Sequence, residues 1–446
     1  MIYNQFTIKQ FAYSVYYNEI VVSKLKYMKP YIIILLLVVF NLFNVNAQTE
    51  EEFLEFGLEK YEQGDYKGAM IEYNKAIKYN PKYSLAYYNR GTLKLELKND
   101  SGAIADLTKA IQFDSLYALS YFNRGMAKFD LGKFSSAIKD FDSYLFLNPL
   151  DEEAFCMKGR SYLSLDQFDL ALKNFDLAID IKQDYFDAFF YRGNTYLRLL
   201  KEDNAIDDFT KAIAIDPTYA KSYLLRGVIY MNQEYYNLAI LDFYKVDEVA
   251  SGNSMLTSFK KEALYYRMES HYKIGEYEEA KTAALLYMIY NITNTNRKNQ
   301  ATAWAIVGDV NEMNENYTEA IVAYTYAIEN QTKNFKYYNL RGRVKLRLQD
   351  NRGAINDFTK AIELDPKIDE IYGNRGIAYA RLGEHNTAII NYNKAIALNK
   401  NYADVYYWRG LSKLMLKNVS GCCLDLSRAG ELGYKDAYDA IKEYCN

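Results

Sequence analysis

The side chains of this chain best suited to chemistry are two histidines, His271 and His385, and four cysteines, Cys156, Cys422, Cys423 and Cys445. A structural metal site needs about four such ligands at short, paired spacings. These are too few and too scattered to provide it. A Ser-His-Asp or Cys-His nucleophile would have to use His271 or His385 as its base. Both lie inside repeats, at ordinary helical positions. No Gly-rich phosphate loop is present. This argues against an enzyme and against a cofactor, a metal or a small-molecule substrate. The net charge is −3 with no block of like charges, and nucleic acid calls for a concentrated basic face.

Charged residues do recur in register. Arg90, Arg124, Arg192, Arg226, Arg341, Arg375 and Arg409 form one series, with Lys158 in an equivalent place. Sixteen residues after six of the arginines stand Asp106, Asp140, Asp208, Asp242, Asp357 and Asp425. Lys158 and Arg375 are followed at that distance by Asn174 and Asn391, and Val307 by Ala323. Arg267, followed by Ala283, breaks the rule. The pattern predicts a half-buried Arg–Asp or Arg–Asn ladder between paired helices. It would set helix register more than add net stability, because desolvating the charges offsets their attraction.

The elements that carry these residues are internal repeats. Gly57, Gly91, Gly125, Gly159, Gly193 and Gly227 lie 34 residues apart, as do Gly308, Gly342, Gly376 and Gly410. Twelve residues after a glycine comes an alanine, from Ala69 to Ala388, with Cys422 in the last copy. An aromatic stands four before each glycine, and Pro81, Pro149, Pro217 and Pro366 stand 24 after one. In 67–79, Ala69, Tyr73, Ala76 and Ile77 make an amphipathic stripe. The proline ends the second helix, since it cannot continue one. Each unit is therefore helix, turn, helix and link. One helix pair cannot bury both its faces, so neighbours must stack. Many of the 46 tyrosines fill the aromatic positions of these units.

With an aromatic at position 4, Gly at 8, Ala at 20, an aromatic at 24 and Pro at 32, the unit resembles the tetratricopeptide repeat. The resemblance covers 50–446. It has six copies over 50–253, a degenerate copy with loop insertions over 254–300, and four copies over 301–434. It implies an all-α, right-handed superhelical solenoid of about eleven helix-turn-helix units whose partners are other proteins or peptides. Positions 2, 5, 9, 12 and 13 would face the concave groove. The groove candidates are then Glu62, Tyr88, Glu96, Phe122, Asp130, Arg160, Phe190, Arg198, Arg343, Arg347 and Arg381, with Glu269 and Asp309 at position 9. Arg343 and Arg347 lie four apart and would grip a carboxylate together. The lysine-and-asparagine set that clamps chaperone tails is not evident.

The copy at 261–294 has Met268 in place of the repeat glycine, and the polar stretch 291–300 reads as a loop. The spacing predicts two sub-arrays, 50–253 and 301–446, joined through this copy. Residues 435–446 form a capping helix over the last unit. There Cys445 could pair with Cys422 or Cys423 in an oxidising compartment, or all three could stay reduced.

At the other end, residues 31–40 are an unbroken apolar run, preceded by Lys24, Lys26 and Lys29 and followed by Val45-Asn46-Ala47-Gln48. This is the pattern of a secretory signal over 28–47, cut between Ala47 and Gln48. It makes 1–27 a mis-annotated extension, with translation starting at Met28. If the segment is not cleaved, it is the expected membrane contact. The expectation is a non-enzymatic scaffold in the periplasm or outer envelope of a Gram-negative bacterium. The alternative is a structural subunit of an envelope assembly or secretion complex.

Overall fold

The computed structural model describes residues 49–291 and 296–445. The extension 1–27, the signal segment 28–47 with its cut at Ala47 and Gln48, and part of the stretch 291–300 lie outside the described residues. The chain divides into two compact units, between Lys182 and Gln183.

The first unit contains α1 (Glu50–Glu62), α2 (Tyr66–Tyr79), α3 (Ser84–Glu96), α4 (Asp100–Phe113), α5 (Ala118–Asp130), α6 (Phe134–Leu147), α7 (Glu152–Ser164) and α8 (Phe168–Ile181). The second contains α9 (Phe186–Arg198), α10 (Glu202–Ile215), α11 (Ala220–Asn232), α12 (Tyr236–Ala250), α13 (Thr257–Lys273), α14 (Tyr277–Tyr290), α15 (Arg297–Met313) and α16 (Tyr317–Asn330). It continues with α17 (Phe335–Arg347), α18 (Asn351–Leu364), α19 (Asp369–Arg381), α20 (His385–Leu398), α21 (Ala403–Met415), α22 (Val419–Glu431) and α23 (Asp436–Tyr444). Among the described residues no strand forms and no helix is long and apolar enough to cross a membrane. Among the described residues, eleven helix pairs are thus followed by one short helix.

The repeat glycines and the position-24 rings explain how a pair closes. A Cβ added to Gly125 on α5 would stand 2.7 Å from Phe141 Cε1 on α6. Phe141 itself is fully buried, as are Phe175, Phe209, Phe243 and Phe358 at the same unit position. The glycine therefore seats a ring, and the alanine at position 20 completes the close approach, as Ala137 does with no exposure. Several second helices begin with a side-chain cap. Asp65, Asn99, Asp350 and Asn418 accept from the amide of the glycine three residues later. Second helices end just before the prolines, as α2 does at Tyr79 and α18 at Leu364. Within each compact unit every helix packs on its sequence neighbours, and first helices also touch the next first helix, α3 with α5 and α13 with α15 among them.

The degenerate copy differs from expectation. Its extra residues are mainly helix, not loop insertions. Both α13 and α15 run 17 residues where α11 and α17 run 13. A 3₁₀ turn, Ser254–Leu256, leads into α13. Residues 297–300 are the first turn of α15, capped by Asn296, whose side chain accepts from the Asn299 amide at 3.2 Å. Nothing in Arg297-Lys298-Asn299-Gln300 breaks a helix, so the polar residues become an added turn. The whole stretch lies inside the second compact unit.

At the end of that unit α23 buries Ala437 and Ala440. A disulfide joins Cys423 to Cys445, while Cys422 is buried against Leu426 and Ala440.

Candidate peptide-binding groove

The ladder supplies the register on which any surface site depends. Arg124 donates from Nε to Asp140 Oδ2 at 2.9 Å and from Nη2 to Oδ1 at 2.7 Å. The same two-pronged geometry joins Arg90 to Asp106, Arg192 to Asp208, Arg226 to Asp242, Arg341 to Asp357 and Arg409 to Asp425. Arg375 donates to Asn391 Oδ1 at 2.8 Å. With no carboxylate beside it, burial lowers the Arg375 guanidinium from its ordinary value. The ladder also reaches one unit backwards, which the sixteen-residue spacing did not suggest. Arg124 Nη1 donates to Thr108, Arg226 to Thr210, Arg341 to Thr325 and Arg409 to Asn393. One guanidinium thus pins three helices in two consecutive units.

One rung differs from expectation. Lys158 pairs with Asp142 at 2.7 Å, and Asn174 turns back to the Leu170 carbonyl. Lysine has no planar fork and takes the nearer carboxylate. Arg267 lies 3.5 Å from Asp247 and stacks over Tyr244 at 4.3 Å.

In the second unit the first helices α11, α13, α15 and α17 line a groove. Its apolar part is a cavity of about 410 Å³ with Met231, Tyr236, Ala305, Ile306, Tyr337 and Leu340 in its wall. Lys273 and Lys336 stand on its rim, with Glu269 and Asp309. Tyr272, Asp309 and Leu340 are shared with a polar hollow of about 500 Å³ that holds Glu312, Arg343 and Arg347.

Tyrosine hydroxyls govern the acids here. Asp309 accepts from Tyr272 and from Tyr324, each at 2.7 Å. Glu312 accepts from Tyr324 and from Arg343 Nη2, each at 3.1 Å. Burial pushes the Asp309 carboxyl up against the pull of its two hydroxyl donors, and the charge of Glu312 adds to the rise. Burial and the charge of Asp309 raise the Tyr324 phenol far above its usual range. The hydroxyls therefore remain donors at any ordinary pH.

Family models described as TPR repeat match residues 57–98 and 380–416. Others described as tetratricopeptide repeat match 122–185, 186–219, 220–253, 335–368 and 358–390. Together they cover more than half of the chain. The chain belongs to the tetratricopeptide repeat family. Among solved structures, MamA is 27% identical over 37% of this chain and 96% of its own, with a TM-score of 0.35. YrrB, described as a TPR protein with an unusual peptide-binding site, is 24% identical over 41% of this chain and 94% of its own, with a TM-score of 0.35. The C-terminal part of a TPR repeat-containing protein from Cytophaga hutchinsonii is 17% identical over 57% of this chain and 98% of its own, with a TM-score of 0.49. Among curated proteins none matches significantly.

The groove uses the tetratricopeptide positions named above. Lys336 is at position 2, Ala305 at 5, Glu269, Asp309 and Arg343 at 9, Met231 and Glu312 at 12, and Lys273 and Arg347 at 13. The other candidates have different surroundings. Phe190 is buried among Phe186, Phe209 and Tyr219 and is no peptide anchor. Phe122 packs on Phe141 and Tyr144, and Tyr88 on Tyr117. The position-5 rings serve as core between units because each reaches the next first helix. The Arg160 guanidinium lies over Phe129 at 5.1 Å, and Arg381 donates to the Leu346 carbonyl at 2.7 Å. Arg198, Glu62 and Asp130 are exposed, Asp130 lying 3.7 Å from Lys98. Glu96 accepts a hydrogen bond from Tyr61, whose hydroxyl is pushed up to about 12 by that bond, then by burial.

Of the pair expected to grip a carboxylate together, Arg343 is engaged by Glu312, while Arg347 has no such partner among the described residues. Lys336 and the tyrosines of the acid cluster escaped sequence reasoning. The usable signal was Tyr324 at a position where five other copies carry phenylalanine. Of the chemically suited residues, His271 is buried with Nδ1 2.6 Å from Glu276, and His385 begins α20. Cys156 is buried as a thiol. No group of three or more metal-ligating side chains occurs among the described residues.

Proposed function

We propose that this tetratricopeptide protein is a non-enzymatic scaffold of the cell envelope whose groove along α11, α13, α15 and α17 holds a segment of a partner protein. One observation carries the reading: first helices of four consecutive units converge on one apolar cavity rimmed by charge. Peptide sites combine such an apolar pocket with a few polar anchors. Export is supported by the signal-like run before Ala47 and by the Cys423–Cys445 disulfide, which suits an oxidising compartment.

Affinity purification from envelope fractions tests this. Lys336→Glu combined with Arg347→Glu should strip the partner, and Lys245→Glu, exposed on the second helix α12, should leave it bound. A partner retained by the groove variant contradicts the reading.

A structural-subunit role has its own support. Leu241, Ile390 and Leu424 occupy one unit position on second helices and are 62%, 68% and 74% exposed. That role predicts fixed stoichiometry, lost with Leu241→Asp rather than with the groove variant.

A further inference from the structure

The charges of the groove are not equally available. Asp309 and Glu312 are held by the hydroxyl and guanidinium bonds given above, and Glu269 accepts from Tyr265 at 2.7 Å. Lys273, Lys336 and Arg347 take part in no side-chain hydrogen bond or ion pair among the described residues, and all three are exposed. Glu315, in the turn after α15, is the acid of the hollow left without such a partner. Three available cations face one available acid, so the groove offers positive charge around an apolar cavity.

The spacing of the cations constrains the ligand. Lys336 and Arg347 stand eleven residues apart on α17. At about 1.5 Å of rise per residue this is about 16 Å along the helix. Tyr337 and Leu340, in the wall of the apolar cavity, lie between them. One carboxylate cannot reach both ends. An extended peptide advances about 3.3 Å per residue, so about five residues bridge the distance.

We infer that the groove selects an extended acidic segment carrying two carboxylates about five residues apart, with one apolar side chain between them. This rests on the scaffold reading above and names the chemistry of its partner. The apolar side chain enters the cavity by Leu340. One carboxylate meets Lys336, and the other meets Arg347. A free chain terminus is not required, since each acid is a side chain.

Fluorescence polarisation of the full chain with labelled eight-residue peptides tests this. The probe has Glu at its first and sixth places, Leu at its third, and Ser and Ala elsewhere. It should bind, with affinity falling as salt rises. Replacing both Glu by Gln, or setting the two Glu side by side, should weaken it about tenfold or more. Lys336→Gln with Arg347→Gln, both exposed, should do the same with unchanged helicity. Equal binding of the Gln or adjacent-Glu peptides would overturn the acid rule while leaving a peptide groove. If no peptide binds and the partner survives the groove variant, the scaffold reading falls and this inference with it.

Discussion

At Arg375 a guanidinium sits in the ladder opposite an amide, and the cost appears as a lowered proton affinity. In six other units the same place holds an aspartate that takes both prongs. Asn391→Asp should therefore stabilise the α19–α20 unit. Two charge-assisted bonds replace a neutral one. Desolvation offsets much of the gain, as at Asp242, where burial raises the carboxyl despite Arg226. The expected net gain is about 1 kcal/mol. It would be measured as slower hydrogen exchange in α19 and α20 at neutral pH; faster exchange would contradict the account of the ladder. The sixteen-residue spacing was legible in the sequence because it repeats. The backward bond to Thr108 and its equivalents was not, because threonine at a solvated helix position has many ordinary uses.

Among the helices, the turns inside units show how local strain is tolerated. The first helix of a unit ends in a left-handed residue, which Gly64, Gly132 and Gly383 adopt freely. Leu200 holds φ 57° in the same turn, with its side chain in solvent. A left-handed conformation costs a non-glycine residue about 1–2 kcal/mol. Leu200→Gly should recover about 1 kcal/mol after the extra entropy of glycine is paid. Slower hydrogen exchange at the end of α9 and the start of α10 is the expected result; faster exchange would show that Leu200 is not strained. Helix existence and phase were readable from glycine, alanine and proline. The longer α13 and α15 were not, because Asn, Arg and Lys suit a polar helix turn as well as a loop.

For the whole molecule, contacts run between near neighbours in the chain, so each compact unit is a stack that needs no distant pairing. That redundancy made the tetratricopeptide fold legible. The groove was only half legible. Unit positions named the lining, yet which cations stay available depends on tyrosine hydroxyls and on Glu312, which no spacing reveals. The central claim is that a partner lies along the first helices of the second unit. A photoreactive residue at Arg347 in intact cells tests it most directly, with a second probe at Leu241 on α12. The account predicts a specific protein cross-link from Arg347 that disappears with Lys336→Glu, and none from Leu241. Cross-links from Leu241 alone would contradict it.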